Sequence, residues 1–350
     1  MSGVRYIPKH NSSEACGGRG SRRGDGSQND GDATTRKGRM SRFPFPVPFG
    51  WFKVAMPDDI PAATVISRRL FGTEVVLWRD ETGQVVCQEA FCPHLGAHIG
   101  VGGNVEGSCL RCPFHGWAFD AAGRNVDIPY AERPNRKATL RTYPTLQHAG
   151  IVFAWYHPDA VDPLWDLMSI PEYNDPEYGD YQVFNFTVRT CLQEMAENGY
   201  DHAHFQFVHS HPKVGTVEKI EFKGYDRTVL TSQQFPSSKG PVDARIDIFG
   251  RGPGFAVTRY RGLIEASLIG CSTPIDDETS DLSFLFTLRN PDKNSHADNI
   301  ARAFVRSVTS EVGQDIPIWE RKRYRPSPAL APSEKPITQF RGWFQQFYVR

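Results

Sequence analysis

No stretch of the chain approaches the 18 or so consecutive apolar residues that a membrane-spanning helix needs. The opening segment also lacks the apolar core of a secretory signal. A soluble, cytoplasmic protein without a membrane span is therefore expected. Net charge is missing too, because 40 basic and 40 acidic residues cancel. That balance gives no electrostatic ground for nucleic acid or an anionic membrane as the main partner. Cysteine is sparse, and a count of 7 in 350 residues is odd and spread out, which does not suit a disulfide framework. Residues 1–40 are short of apolar side chains. The run SSEACGGRGSRRGDGSQNDGDATTRKGR cannot bury enough surface to offset its ordering entropy, so a disordered tail is expected over 1–40.

The remaining length suffices for two domains. From Phe43 to about His157, short runs such as EVVLWRD, QVVCQEAF, SCLRCP, WAFDAAGRN and GIVFAWYHP alternate or stay apolar between Gly, Asp and Pro. They predict a small all-β domain over 41–160. The acidic, proline-bearing DAVDPLWDLMSIPEYNDPEYGD reads as an irregular connection. Beyond it, over 161–350, TVLTSQQF, ARIDIFG, FAVTRYRG, IEASLIGCS and DLSFLFTLRN predict strands of period two. Two helices are expected, around Cys191–Phe207 and from Asp298 to about Tyr324. A strand meander with a long helix laid across it is an α+β domain.

Three of the cysteines crowd into FCPHLGAHIGVGGNVEGSCLRCPFHGWAFD. Within it Cys92-Pro93-His94 and Cys112-Pro113-Phe114-His115 form two arms separated by residues 95–111, each with one thiolate and one imidazole. A [2Fe–2S] cluster with two Cys on one iron and two His on the other needs this composition. Pro and Gly beside each arm suit tight loops whose N–H groups can point at sulfur. A structural zinc site is the competing reading, with Cys109 and Cys112 as C-x-x-C and Cys87 or Cys92 plus a histidine completing it. Against zinc, Cys109 falls in an alternating strand, where cysteine is commonly a small buried apolar residue. His98 reads as a loop polar residue. The two arms resemble those of Rieske [2Fe–2S] domains.

A second group lies in ENGYDHAHFQFVH. Non-haem Fe(II) that activates O2 is typically held by two histidines and one carboxylate on one face, and His204 and His209 are the candidate pair. An ideal helix would set them about 140° apart, so His209 must come from a distorted turn or from beyond the helix end. His202 and His211 are expected to be surface or cap histidines. For the carboxylate, Ile300, Phe304, Val308, Val312 and Trp319 form an apolar stripe that contains Asp315. A carboxylate on a buried face is costly unless it is paired or binds metal. Pro317 should kink the helix there, and leaves a cap role for Asp315 open.

The spacing of Asn198, Asp201, His204 and His209 is similar to the iron-binding segment of Rieske oxygenases. The run Gln314-Asp315-Ile316-Pro317-Ile318-Trp319 and the terminal GWFQQFYV resemble the end of the oxygenase component of 3-ketosteroid 9α-hydroxylases, with cholesterol 7-desaturases sharing the general plan. The resemblance implies a Rieske domain followed by a catalytic domain of helix-grip type, with Cys92, His94, Cys112 and His115 on the cluster and His204, His209 and Asp315 on Fe(II). It implies Asn198 near the iron, and Asp201 as a bridge accepting an N–H from His204 and from His115 of the next chain in a homotrimer. An NAD(P)H-fed flavin or iron–sulfur reductase, O2 and an apolar, steroid-like substrate are the partners it implies. Hydroxylation leads among the readings. Desaturation, or attack on an aromatic or other apolar compound, comes next, and a plain Rieske electron carrier or zinc-binding module last.

Overall fold

Runs of β-branched and aromatic residues bounded by turn formers become short antiparallel strands between residues 50 and 156. The computed structural model describes residues 41–211, 215–235, 242–262, 264–290 and 295–349. The disordered tail expected over 1–40 lies outside them. One small sheet pairs Gly50–Ala55 with Ile151–Tyr156 and Thr145–His148. A second contains Val65–Leu70, Thr73–Arg79, Val85–Glu89 and Thr142–Tyr143. The third, Asn104–Glu106, Cys109–Arg111, Ala118–Asp120 and Asn125–Asp127, carries the second cysteine–histidine arm at the end of its Cys109–Arg111 strand.

The later residues form a seven-stranded antiparallel sheet. Its spatial order is Gln182–Val188, Ser280–Leu288, Ala266–Pro274, Phe255–Arg261, Val242–Arg251, Asp226–Phe235 and Thr216–Lys223. The helix Ser295–Trp319 lies against it. Val305 packs on Leu268 and Phe286, and Val312 and Trp319 pack with Val188 and Leu282. The expected stripe is thus real toward the helix's C-terminal half, whereas Ile300 is 40% exposed and does not belong to it. Pro317 falls two residues before the helix ends and does not interrupt it. An all-β Rieske part followed by an α+β part is the fold class expected. Among the described residues no helix is long and apolar enough to cross a membrane.

One hydrophobic core runs through both parts, from Trp51 and Trp155 to Phe255, Phe340 and Phe347. Thr273 Oγ1 donates to the Lys53 carbonyl at 2.7 Å, and Phe71 N–H to the Pro274 carbonyl at 2.9 Å. The connection over 159–180 is irregular, as expected, but it is not a free linker. Trp165, Leu167 and Ile170 are buried, Trp51 Nε1 donates to the Trp165 carbonyl at 2.8 Å, and Glu172 pairs with Arg259.

The helix expected around Cys191–Phe207 is instead three pieces. These are Leu192–Glu197, a 3-10 turn Asn198–Tyr200, and a single turn His204–Phe207. Asn and Gly at 198 and 199 are poor helix-interior residues, and the chain breaks there. The first piece is held by charge: Glu194 and Glu197 are buried, with Lys322 Nζ at 3.0 and 3.4 Å from them, and Arg341 Nη2 donates to Glu197 Oε1 at 3.0 Å. Removing one member of such a buried group leaves an uncompensated charge. Arg341→Ala is therefore expected to cost about 3 kcal/mol, read as a lower urea midpoint. An unchanged midpoint would show that Lys322 alone balances both carboxylates.

Candidate functional site

The two cysteine–histidine arms adopt the same loop. Cys92 N–H donates to the Ala97 carbonyl at 2.8 Å, and Cys112 N–H to the Trp117 carbonyl at 2.9 Å. Gly96 N–H returns to the Cys92 carbonyl at 2.9 Å, and Gly116 N–H to that of Cys112 at 3.1 Å. Gly96 and Gly116 have φ of 77° and 73°, left-handed values that favour glycine, and this closes each loop tightly. The loops bring like donors together. Cys92 and Cys112 are neighbours close enough to interact, and the His94 and His115 ring centroids are 4.7 Å apart.

Two sulfurs on one side and two imidazoles on the other are the donor set of a Rieske cluster. Backbone N–H groups of His94 and Leu95 point at the Cys92 sulfur. Burial, with the adjacent Cys112 adding to it, pushes the Cys92 thiol up to about 11, so it stays protonated until a cation displaces the proton. His94 stacks on Trp117 with 4.3 Å between centroids, and Trp117 Nε1 donates to the Tyr130 hydroxyl at 2.8 Å. The zinc alternative fails on placement. Cys87 packs in a different core cluster from Cys92 and Cys112, and Cys109 sits half-buried beside Asp120 and Arg111.

At the second site His204 opens the short turn, and His209 follows two residues after its end, as the angular argument requires. Ligand atoms of His204, His209 and Asp315 lie within 4.8 Å of one another. Each imidazole has its Nδ1 engaged: His204 Nδ1–H donates to the Asp201 main-chain carbonyl, and His209 Nδ1–H to Gln314 Oε1 at 2.8 Å. That turns both Nε2 atoms toward the common centre. Asp315 is 6% exposed, and its Oδ1 is 3.5 Å from His209 Nε2. Burial raises its pKa, and His209, His204 and Asn198 offset this in part. The Asn198 amide donates to Asp315 Oδ2 at 3.0 Å and to His204 Nε2 at 3.1 Å. Asp315 lies inside its helix, so the cap reading does not hold. Asp201 differs from expectation in detail: its main-chain oxygen, not its carboxylate, accepts from His204.

Beside this triad is a cavity of about 410 Å³. Its walls include Val229, Ile246, Ile248, Leu268, Phe284, Phe304, Val308 and Val312, with Thr231, Gln233 and Tyr260 among its polar groups. The volume falls in the usual range for small-molecule sites. His202 and His211, expected at the surface, both line the cavity. Burial lowers the pKa of His202, and His211 Nε2 meets Glu311 Oε1 at 3.0 Å. Glu311 and Gln314 were missed in sequence, although Glu311 lies one helical turn before Asp315 and so on the same face.

Comparison with known proteins finds two family models that match the chain. Residues 50–144 match the Rieske [2Fe-2S] domain family, and residues 154–348 the 3-ketosteroid 9alpha-hydroxylase C-terminal domain. Cholesterol 7-desaturase nvd of Bombyx mori is 32% identical over 329 residues, covering 88% of this chain and 71% of that protein. The oxygenase component of a 3-ketosteroid-9-alpha-monooxygenase from Rhodococcus rhodochrous is 28% identical over 319 residues, covering 86% and 83%. In fold, the crystal structure of dicamba monooxygenase bound to dicamba superposes with a TM-score of 0.69 at 18% identity, covering 85% of this chain and 96% of that one.

Proposed function

The chain belongs to the Rieske oxygenases of the 3-ketosteroid 9α-hydroxylase and cholesterol 7-desaturase kind, and on that premise we propose that it hydroxylates a steroid or steroid-like ring compound as the oxygenase component of a multicomponent monooxygenase. The observation that carries this reading is the apolar cavity of about 410 Å³ opening on His204, His209 and Asp315. In it, residues 41–160 carry the cluster on Cys92, His94, Cys112 and His115, and residues 161–350 hold iron on His204, His209 and Asp315. When bound, the two centres supply single electrons and O2 activation. The protein's own part is placement and exclusion of water. Asn198 keeps Asp315 and His204 aligned, and the apolar walls orient a ring skeleton against the triad. A reductase and O2 are the required partners. Desaturation of a sterol is the second reading, favoured by the similarity to cholesterol 7-desaturases. With an electron source supplied, ring substrates should stimulate O2 uptake while small aromatic acids do not. Product mass then decides between a gain of one oxygen and a loss of two hydrogens, and a response to aromatics alone would overturn the steroid reading.

In the same proposal the working unit is a homotrimer in which Asp201 links two chains. Its carboxylate makes no hydrogen bond among the described residues, so it is left to meet His115 of a second copy. Phe114 and Leu95 around His115 are 61% and 66% exposed, and Phe207 near Asp201 is 81% exposed, which suits apolar faces covered on assembly. Asp201→Asn keeps the main-chain acceptor of His204 but weakens the anionic link. The variant should retain both metal centres and a reducible cluster, with cluster oxidation on mixing with O2 and substrate slowed at least about tenfold. Oxidation at the wild-type rate would remove Asp201 from the electron path.

A further inference from the structure

The cavity wall nearest the triad carries one acidic group, Glu311, on the helix that also carries Asp315. Four residues separate them, which puts Glu311 on the same helical face at a rise of about 6 Å. The donor that pins it is His211, whose Nε2–H bonds Glu311 Oε1 at 3.0 Å. Oε2 accepts no hydrogen bond among the described residues. The cavity is lined largely by apolar side chains, Leu268, Phe284, Phe304, Val308 and Val312 among them, with Arg245 and Arg261 also in its lining. Tyr260 lines the cavity as well, with its ring 4.8 Å from that of Phe304. Burial, with Glu311 adding to it, raises the Tyr260 pKa, so the phenol remains an O–H donor.

Resting on the ring-substrate reading above, we propose that Glu311, held by His211, is a specificity-determining residue that accepts a hydrogen bond from a substrate hydroxyl about one helical turn from the carbon presented to the triad. A carboxylate accepts and cannot donate. A hydroxyl satisfies it and can still accept from Tyr260. A ketone offers only acceptors, so it leaves Glu311 facing a second acceptor. Glu311, three-quarters covered on the cavity wall, discriminates against a partner that lacks the donor. The substrate class this selects is therefore a ring alcohol, not the corresponding ketone.

The test uses a 3-hydroxy sterol and the matching 3-ketone with the full, metal-loaded chain. Affinities are measured by equilibrium dialysis, and kcat/KM with a reductase supplied. Wild type should prefer the alcohol by at least tenfold in both. Glu311→Gln exchanges one acceptor for an N–H donor while preserving shape, and should reverse or erase that preference with iron and sulfide content unchanged. Glu311→Ala should erase it without reversal. An unchanged preference in both variants, or a wild-type preference for the ketone, overturns the assignment while leaving the ring-substrate reading standing. Should neither compound bind or turn over, the ring-substrate reading falls and the assignment with it.

Discussion

Cys112→Ala is expected to abolish the optical and EPR signature of the Rieske cluster and, with it, all turnover. The variant removes one of the two sulfurs that the paired loops bring together, and among the described residues no other cysteine is placed to substitute. Cys109, three residues away, is half-buried beside Asp120, and Cys87 belongs to another core cluster. Chiefly burial pushes the Cys92 thiol up, and with one thiolate ligand gone the remaining sulfur and two imidazoles are too few to hold the cluster, so the loop should not retain iron. Cys109→Ser is the matched control and should keep a normal cluster. A normal cluster in Cys112→Ala would contradict the geometry on which both sites were assigned.

Asp315→Ala should separate the two centres: iron falls from three to two per chain, the Rieske spectrum persists, and turnover is lost. Its stability carries a second signature. An acid whose pKa is raised in the folded state binds its proton more tightly there than in the unfolded chain, so its ionised form opposes folding above the unfolded pKa. Burial raises Asp315 in this way. On chelator-treated protein near pH 7 the alanine variant should therefore unfold at no lower urea concentration than wild type. A large loss of stability together with intact turnover would make Asp315 a structural residue.

How much of this was legible in sequence depended on whether the signal was local. The Rieske arms were readable because each is a self-contained loop, with Cys, His and the closing Gly inside five residues. Asp315 was readable because a carboxylate on an apolar stripe violates the pattern around it. The break at Asn198 was only weakly marked, since Asn and Gly lower helix propensity without forbidding a helix and the metal site gives the break its use. His202 and His211 look like ordinary polar histidines until the sheet folds over them. Glu194 and Glu197 look like surface acids because Lys322 and Arg341, which neutralise them, are far along the chain. The strand Thr216–Lys223 gives little sequence signal because it is a sheet edge with five of its eight residues exposed. The helix Lys335–Phe344 was missed behind its prolines, although Ile337, Phe340 and Phe344 repeat at helical spacing.

The account stands on one claim: the paired thiol–imidazole loops and the His204–His209–Asp315 triad are two centres of one oxygenase. Single turnover tests it most directly. Chemically reduced protein, freed of reductant and of any reductase, is mixed with O2 in the presence and absence of a ring substrate, and cluster oxidation and product are followed together. The account predicts rapid cluster oxidation only with substrate, with up to one product per chain and neither event in Asp315→Ala. Cluster oxidation that is indifferent to substrate and to Asp315, with no product formed, would contradict it.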